Sequence, residues 1–352
     1  MTKQRILTGD TPTGKLHLGH WVGSLENRVK LQDEYACFFI LANLHAFTTR
    51  AEQPEEIRQS VLDITLDYLS AGIDPKKSTI FIQSEIPAIA ELTFIFSMLI
   101  PFPHLMRNPT IKSEIRNKEL GDNYPFGFLL YPVGQVADIL AFRPDLVPVG
   151  EDQIPHLEMA RFVARKFNQV YRKVDPQVID KEQIQAGGLF PIIEPLLGRF
   201  PRLPGIGAPD AEGRLPKMSK SLNNSILLSD TPDIIQKKIM SMYTDPKRIR
   251  PTDKGTTENN PLWIFHETFN TDKAWITEAS ERYRQGQIGD VECKKKLIEV
   301  LVNLLEPMQK RRALYEQDPG QILAILKEGT ERANEVAQTT LDLVKKAIKQ
   351  DY

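Results

Sequence analysis

The sequence predicts an α/β protein, with a Rossmann-like parallel-sheet core followed by an all-helical C-terminal segment. Short buried strand-like runs alternate with amphipathic helices through the first half of the chain, the rhythm of parallel β-α-β units covered on both faces. The strand signal then disappears after Asp230. At 352 residues, 41% apolar and 26% charged, the chain is long enough for two domains with sizeable cores.

Each element follows from local pattern. Arg5 to Thr8 reads as a strand, Gly9 to Lys15 as a turn with Pro12 and Gly14, and Leu18, Val22, Leu25 and Val29 recur at helical spacing. Ala36 to Ala42 is a continuous apolar run of strand length, Pro54 to Ala71 a helix stopped by Gly72, and Ser78 to Gln83 the next strand. Residues 84 to 137 break the alternation and read as an insertion, helical over Pro87 to Ile100 and then polar. Leu146 to Val149 restores it as a strand leading through Gly150-Glu151-Asp152-Gln153 into a helix to Asn168. Glycines and prolines dominate from Gly187 to Gly213, a composition expected of a mobile loop that ends in the lysine-rich stretch up to about residue 224. Beyond it, Ile234 to Met242, Pro261 to Phe269, Asp272 to Gln285, Val291 to Gln317 and Pro319 to Lys349 all read as helices. The expected division is therefore 1–229 and 230–352.

Charge excludes a generally basic nucleic-acid binder: 45 Lys and Arg balance 46 Asp and Glu, and residues 230 to 352 carry 20 of each sign. An RNA partner would be held by local patches such as Lys294-Lys295-Lys296 or Lys310-Arg311-Arg312, which taken singly read equally as solvated helix faces. Cys37 and Cys293 lack the spacing of a zinc site. No apolar segment follows Met1, and the most apolar stretch, Leu92 to Pro103, falls short of the ~20 residues a bilayer span needs. A cytoplasmic protein without a membrane partner is expected.

Two motifs 200 residues apart carry the chemistry. His17-Leu18-Gly19-His20 puts two imidazoles at a helix start, where unpaired N–H groups and the helix dipole are expected to favour a phosphate, and Gly19 would let a nucleotide approach the backbone. The plainer reading is two polar residues capping a helix. Lys217-Met218-Ser219-Lys220-Ser221 offers two cations and two hydroxyls for phosphate oxygens, although alone it reads equally as a solvated turn. Together the motifs point to a site for cleaving ATP between its α and β phosphates.

These two motifs resemble the signatures of the class I aminoacyl-tRNA synthetases, and the chain is similar over nearly its full length to the branch that activates tryptophan. The resemblance is carried also by Gly72-Ile73-Asp74-Pro75, Phe81-Ile82-Gln83-Ser84, Tyr131-Pro132, Ala137-Asp138-Ile139-Leu140 and Val147-Pro148-Val149-Gly150-Glu151-Asp152-Gln153. It implies that Thr11, Pro12, Thr13, Gly19 and His20 line an ATP site, with Gly150, Glu151 and Asp152 at the ribose and Leu203 at the adenine. It also implies that His17, His20, Lys217 and Lys220 are catalytic, and that Met218, Ser219 and Ser221 contact ATP beside them. Asp138 would accept the indole N–H, Tyr131 and Gln153 would hold the amino group, and Gln135 and His45 would wall the pocket, with a core histidine as the alternative for His45. An acceptor is what a tryptophan pocket needs, because indole carries one polar hydrogen and no acceptor. An N-cap or a buried ion pair is the other reading of Asp138. Many bacterial relatives carry Thr and Asn in place of His17 and His20, Gln in place of Thr11, Asp in place of Asn43 and Met in place of Gln135, which sets this chain in a subgroup.

The reaction implied is attack of the tryptophan carboxylate on the α-phosphorus of Mg²⁺-ATP, followed by transfer of tryptophan to the terminal adenosine of tRNA(Trp). Positioning and charge neutralisation by His17, His20, Lys217, Lys220 and Mg²⁺ would carry the first step. The resemblance also implies anticodon reading by residues 230–352 and a homodimer; the insertion at 84–137 is apolar enough to pair with a copy of itself, and no protein-bound metal is expected. The alternatives are a tyrosine-activating relative, a small nucleotidyltransferase and a non-catalytic RNA-binding paralogue.

Overall fold

The computed structural model describes residues 3–108, 124–150, 154–197, 203–246, 248–250 and 252–352. Five parallel strands form one sheet: β1 (Arg5–Asp10), β2 (Ala36–Leu41), β3 (Ser78–Ile82), β4 (Leu146–Val149) and β5 (Glu194–Leu197), in the order β3-β2-β1-β4-β5. The order reverses between β1 and β4, so the loops leaving their carboxyl ends diverge and open a crevice. Thr11 to Thr13 follow β1 and Gly150 follows β4, at the mouth of that crevice.

The first helical stretch is compound: α1 (Leu18–His20), a π-helical turn over Trp21–Leu25 and α2 (Glu26–Leu31). Leu18, Val22 and Leu25 bury the face the spacing predicted. Next come α3 (Asn43–Arg50), α4 (Pro54–Ala71), α5 (Pro87–Ser97), α6 (Phe102–Met106), α7 (Phe126–Phe142) and α8 (Ile154–Arg172). The expected insertion boundary at 137 falls inside α7, which carries Pro132 in its interior; the helix starts at Phe126, directly after Pro125. Residues 109–123 of that insertion lie outside the described residues.

The Gly/Pro-rich segment differs from the expected loop. Residues 194–197 form the edge strand β5, and Phe190 and Ile193 are fully buried. Pairing with β4 holds the strand, and just before it buried Asn168 on α8 donates to the Phe190 carbonyl at 2.9 Å and accepts from the Leu189 and Phe190 N–H groups at 2.8 and 3.1 Å. A polar clamp of this kind satisfies backbone groups that a buried loop would otherwise leave unpaired.

After Asp230 the described chain is helical: α9 (Pro232–Met240), α10 (Pro261–Phe269), α11 (Lys273–Gln285), α12 (Asp290–Glu316) and α13 (Pro319–Ala347). Three begin with the same local code, a capping Thr231, Asn260 or Asp318 followed by proline at the first helical position. α12 packs on α4, and α13 packs on β3 and α5. One apolar core accordingly runs from Ile6, Leu18 and Tyr68 through Trp263 and Leu297 to Leu326.

α13 lies directly against the β3 edge. A Cβ on Gly329 would fall 1.9 Å from the Ile80 carbonyl oxygen, and the Thr330 hydroxyl accepts the Ile82 N–H at 3.3 Å. Gly329→Val should therefore lower unfolding stability by about 3 kcal/mol, read by chemical denaturation. An unchanged midpoint would show that α13 is not seated on the strand.

Candidate functional site

A cavity of about 640 Å³ occupies the crevice. It joins the two motifs: Thr11, Thr13, His17, Gly19, His20, Gly150, Leu203, Lys217, Met218, Ser219 and Lys220 line one part, and His45, Tyr131, Gln135 and Asp138 another. Pro12 and Ser221 are not in the lining. Pro12 is buried in the loop, and Ser221 is exposed with its hydroxyl 2.9 Å from that of Ser219. Glu151, Asp152 and Gln153 lie outside the described residues.

The histidines cap the helix start, as the plainer reading of the motif had it. His17 is the N-cap of α1, its Nδ1 accepting the Gly19 N–H at 3.1 Å, while His20 Nδ1 accepts the His17 N–H at 3.1 Å, a reciprocal capping box. The Leu18 N–H donates to the Ile226 carbonyl at 2.9 Å, and those of His20 and Trp21 donate to the His17 carbonyl. The first N–H groups of this helix thus have protein partners, and the unpaired donors expected of a phosphate seat are absent here. Gly19 is required by the same box, since a Cβ there would sit 2.9 Å from the His17 ring. With both Nδ1 atoms accepting, both rings present Nε2–H outward as neutral donors. Burial, then the neighbouring His20, Lys220 and Lys217, pushes His17 down to about 2; burial, with the nearby lysines and Arg28, pushes His20 down to about 4 against the pull of Asp10. The cations at this end are Lys217, Lys220 and Arg28.

Lys217 to Lys220 are held by Asn224, a residue the sequence did not single out. Its side chain accepts the Ser219 N–H at 2.7 Å and donates to the Lys217 carbonyl at 3.2 Å. Lys217 also bridges Pro204, and the Met218 N–H donates to the Leu203 carbonyl at 3.1 Å. Lys220 Nζ donates to the Lys15 carbonyl at 3.0 Å. Burial is the main cause lowering its pKa, which marks a partly desolvated ammonium with strengthened electrostatics.

Below the histidines lies a second group the motifs did not reveal. Asp10, at the end of β1, accepts from Arg28 Nη1 at 2.7 Å and from the Tyr68 hydroxyl at 2.5 Å. Burial pushes its carboxyl up, but Arg28, His20 and the Tyr68 hydrogen bond outweigh this and bring it to about 2. Asp10 is thus a fixed anion beneath the His17–His20 turn.

At the other end Asp138, on α7, is 3% exposed. Gln83 Nε2 donates to both of its oxygens at 2.8 and 2.9 Å, and His45 Nε2 lies 3.3 Å from Oδ2. Gln83 is itself fixed, since its Oε1 accepts the Leu44 N–H at 3.0 Å. Burial raises the Asp138 pKa to about 7, against the Gln83 hydrogen bonds; burial lowers His45 to about 4. The Tyr131 ring stands 5.9 Å from that of His45 and 5.7 Å from that of His156. An acidic acceptor inside an aromatic pocket suits a flat ligand bearing one N–H donor.

Among the described residues no group of three or more His, Cys, Asp or Glu could hold a metal ion, and no helix is long and apolar enough to cross a membrane.

Comparison with known proteins gives consistent matches. The family model described as tRNA synthetases class I (W and Y) matches residues 1–306. A protein of Clostridium longisporum named tryptophan–tRNA ligase is 45% identical over 100% of this chain and 98% of its own length. One of the same name from Streptococcus pyogenes serotype M3 is 46% identical over the full length of both. Among solved structures, tryptophanyl-tRNA synthetase of Campylobacter jejuni complexed with ADP and tryptophan superposes with a TM-score of 0.80 at 29% identity, covering 98% of this chain and 99% of that one.

Proposed function

The chain belongs to the class I tRNA synthetases of the tryptophan and tyrosine group, and from that premise we propose that it is a tryptophan–tRNA ligase whose crevice cavity holds ATP at the lysine end and L-tryptophan at the Asp138 end. The observation that carries this reading is the union of both ends in a single space. A carboxylate anchored by its indole at Asp138 and a triphosphate at Lys217 and Lys220 would meet between them.

In the first step a tryptophan carboxylate oxygen attacks the α-phosphorus, the bond from that phosphorus to the bridging oxygen breaks, and pyrophosphate leaves with the electron pair. His17 and His20 donate Nε2–H to phosphate oxygens as neutral groups. Lys217 and Lys220 supply the positive charge. Mg²⁺ enters as part of the substrate, on the phosphate oxygens, where it offsets their negative charge; the described carboxylates of the cavity, Asp10 and Asp138, are engaged elsewhere. Asp138 takes the indole N–H, Tyr131 and Gln153 the amino group, and Gln135 and His45 the pocket wall. Gly150 to Asp152 take the ribose and Leu203 the adenine. The 2′-hydroxyl of the 3′-terminal adenosine of tRNA(Trp) then attacks the acyl carbon of the adenylate, the bond from that carbon to the phosphate oxygen breaks and AMP leaves, while residues 230–352 bind the anticodon.

Tryptophan-dependent exchange of pyrophosphate into ATP tests the first step, with tyrosine as control. Charging of tRNA(Trp) tests the second. Exchange supported by tyrosine and not by tryptophan would overturn the assignment.

The protein is further proposed to be a homodimer. Phe94 on α5, Met98 at its C-cap, Phe102 on α6 and Phe126 on α7 are 65–75% exposed, an apolar surface suited to a second copy. Phe94→Asp with Phe126→Asp should convert the dimer to a monomer in sedimentation equilibrium; a wild-type monomer would refute the pairing.

A further inference from the structure

Helix α12 reaches the His17 turn from two sides. Arg312 Nη1 donates to Asp67 Oδ1 at 2.6 Å, and Asp67 Oδ2 accepts the N–H of Leu16, the residue before His17, at 2.7 Å. Asp67 is fully buried, and Glu316 holds Arg312 from the far side at 2.8 Å. One helical turn earlier, Gln309 Nε2 donates to the Asp230 carbonyl at 2.6 Å, and Asp230 Oδ2 accepts the Leu227 N–H at 2.8 Å. Leu227 bridges His17, and its neighbours close the pairing: Leu18 N–H to the Ile226 carbonyl, Leu228 N–H to the Leu16 carbonyl. Residues 16–18 are thus held between Asp67 and strand-like residues 226–228, and both supports are gripped by one face of α12.

We propose that Gln309 and Arg312 are positioning residues of the ATP site, through which α12 fixes the His17–His20 turn at the geometry that receives the phosphates. This rests on reading the cavity's lysine end as the ATP site. A buried ion pair is poor value as a stabiliser alone, since apolar side chains of like volume commonly serve as well. What Asp67 and Arg312 add is direction, because the second carboxylate oxygen is aimed at a backbone N–H adjoining the motif. The link also spans 245 residues, so the C-terminal helices bear on the phosphate end of the cavity without entering it. The Asp138 end is reached by a different route, through Gln83 and α7.

The test compares Arg312→Gln, Arg312→Lys and Gln309→Ala in the full-length chain with Arg332→Gln, which breaks another bond between the C-terminal helices and the core, from Arg332 Nη2 to the Pro75 carbonyl at 3.1 Å. ATP and tryptophan affinities are measured separately by calorimetry, and KM for each substrate in pyrophosphate exchange. Arg312→Gln and Gln309→Ala should each weaken the ATP parameters about tenfold, the scale of loss for a sub-ångström shift of a binding group, with tryptophan affinity changed less than about twofold. Arg312→Lys should recover part of the loss, and Arg332→Gln should leave both affinities unchanged even where it lowers the melting temperature. Should Arg312→Gln fail to fold, Gln309→Ala and Arg312→Lys decide the matter. A parallel loss of ATP and tryptophan affinity, or an Arg332→Gln variant that reproduces the ATP defect, would overturn the proposal. A wild-type chain that binds ATP but performs no exchange would refute the ligase reading, while the calorimetry would still decide this one.

Discussion

Lys220→Ala should lower the rate of adenylate formation by about 10²–10³-fold, or about 3–4 kcal/mol, while tryptophan affinity stays within about twofold of wild type. The reason is the division of charge at the lysine end. His17 and His20 are neutral, held so by burial and by capping bonds to Nδ1, so on the proposed reading the negative charge that grows on departing pyrophosphate falls to the lysines. Lys220 in this structure rests on the Lys15 carbonyl at 3.0 Å, a neutral partner that a phosphate oxygen outbids electrostatically. Rapid-quench measurement of adenylate formation checks this; an equal loss of tryptophan binding would refute a role confined to the transition state.

Asp138→Ala should weaken tryptophan binding roughly 10²-fold, because the indole N–H would be buried without an acceptor. The wild-type affinity should also depend on pH. Asp138 titrates near 7 in the folded chain, and its ionised form is the better acceptor, so affinity should rise through about pH 7 and level off above it. Asp138→Asn should flatten this profile. Gln83→Leu should move its midpoint upward, because the Gln83 hydrogen bonds are what lower this pKa against burial. Stability carries the opposite sign. Relative to an unfolded carboxyl at 3.8, the folded state holds its proton to higher pH, so between about 4 and 7 this group destabilises the fold as pH rises. Equilibrium dialysis at fixed pH values reads the affinity; a flat wild-type profile would remove Asp138 from the indole contact.

The sequence made the sheet and the long helices legible wherever periodicity was unbroken: β1 to β4, α4, and α9 to α13 all lie within a few residues of expectation. It failed where tertiary contacts override local pattern. The insertion boundary expected at 137 falls inside α7, and the glycines and prolines around β5 read as a loop, yet a buried helix face and pairing with β4 hold these stretches in regular structure. α3 was missed because its eight residues mix polar and apolar types without a clear stripe. At the site, the motifs disclosed His17, Gly19, His20 and Lys217 to Lys220 in the cavity wall, while Asp10 and Arg28 in the same wall went unread. Those standing behind them stayed hidden: Gln83 meets Asp138 across 55 positions, Tyr68 meets Asp10 across 58, and none of these pairings has a local spacing to reveal it. The neutrality of the two histidines was equally invisible, because it arises from burial and from which ring nitrogen accepts a bond.

The seat of α13 on the β3 edge bears on how the chain is made. Thr330 satisfies the Ile82 N–H from 248 residues downstream, so the ribosome delivers an open strand edge long before its cover. At about 5–20 residues per second, that edge stays unprotected for roughly 12–50 s of synthesis, a window in which neighbouring nascent chains on one message could pair through it. Vectorial synthesis thus leaves this strand edge uncovered until α13 emerges, and the close approach at Gly329 closes it.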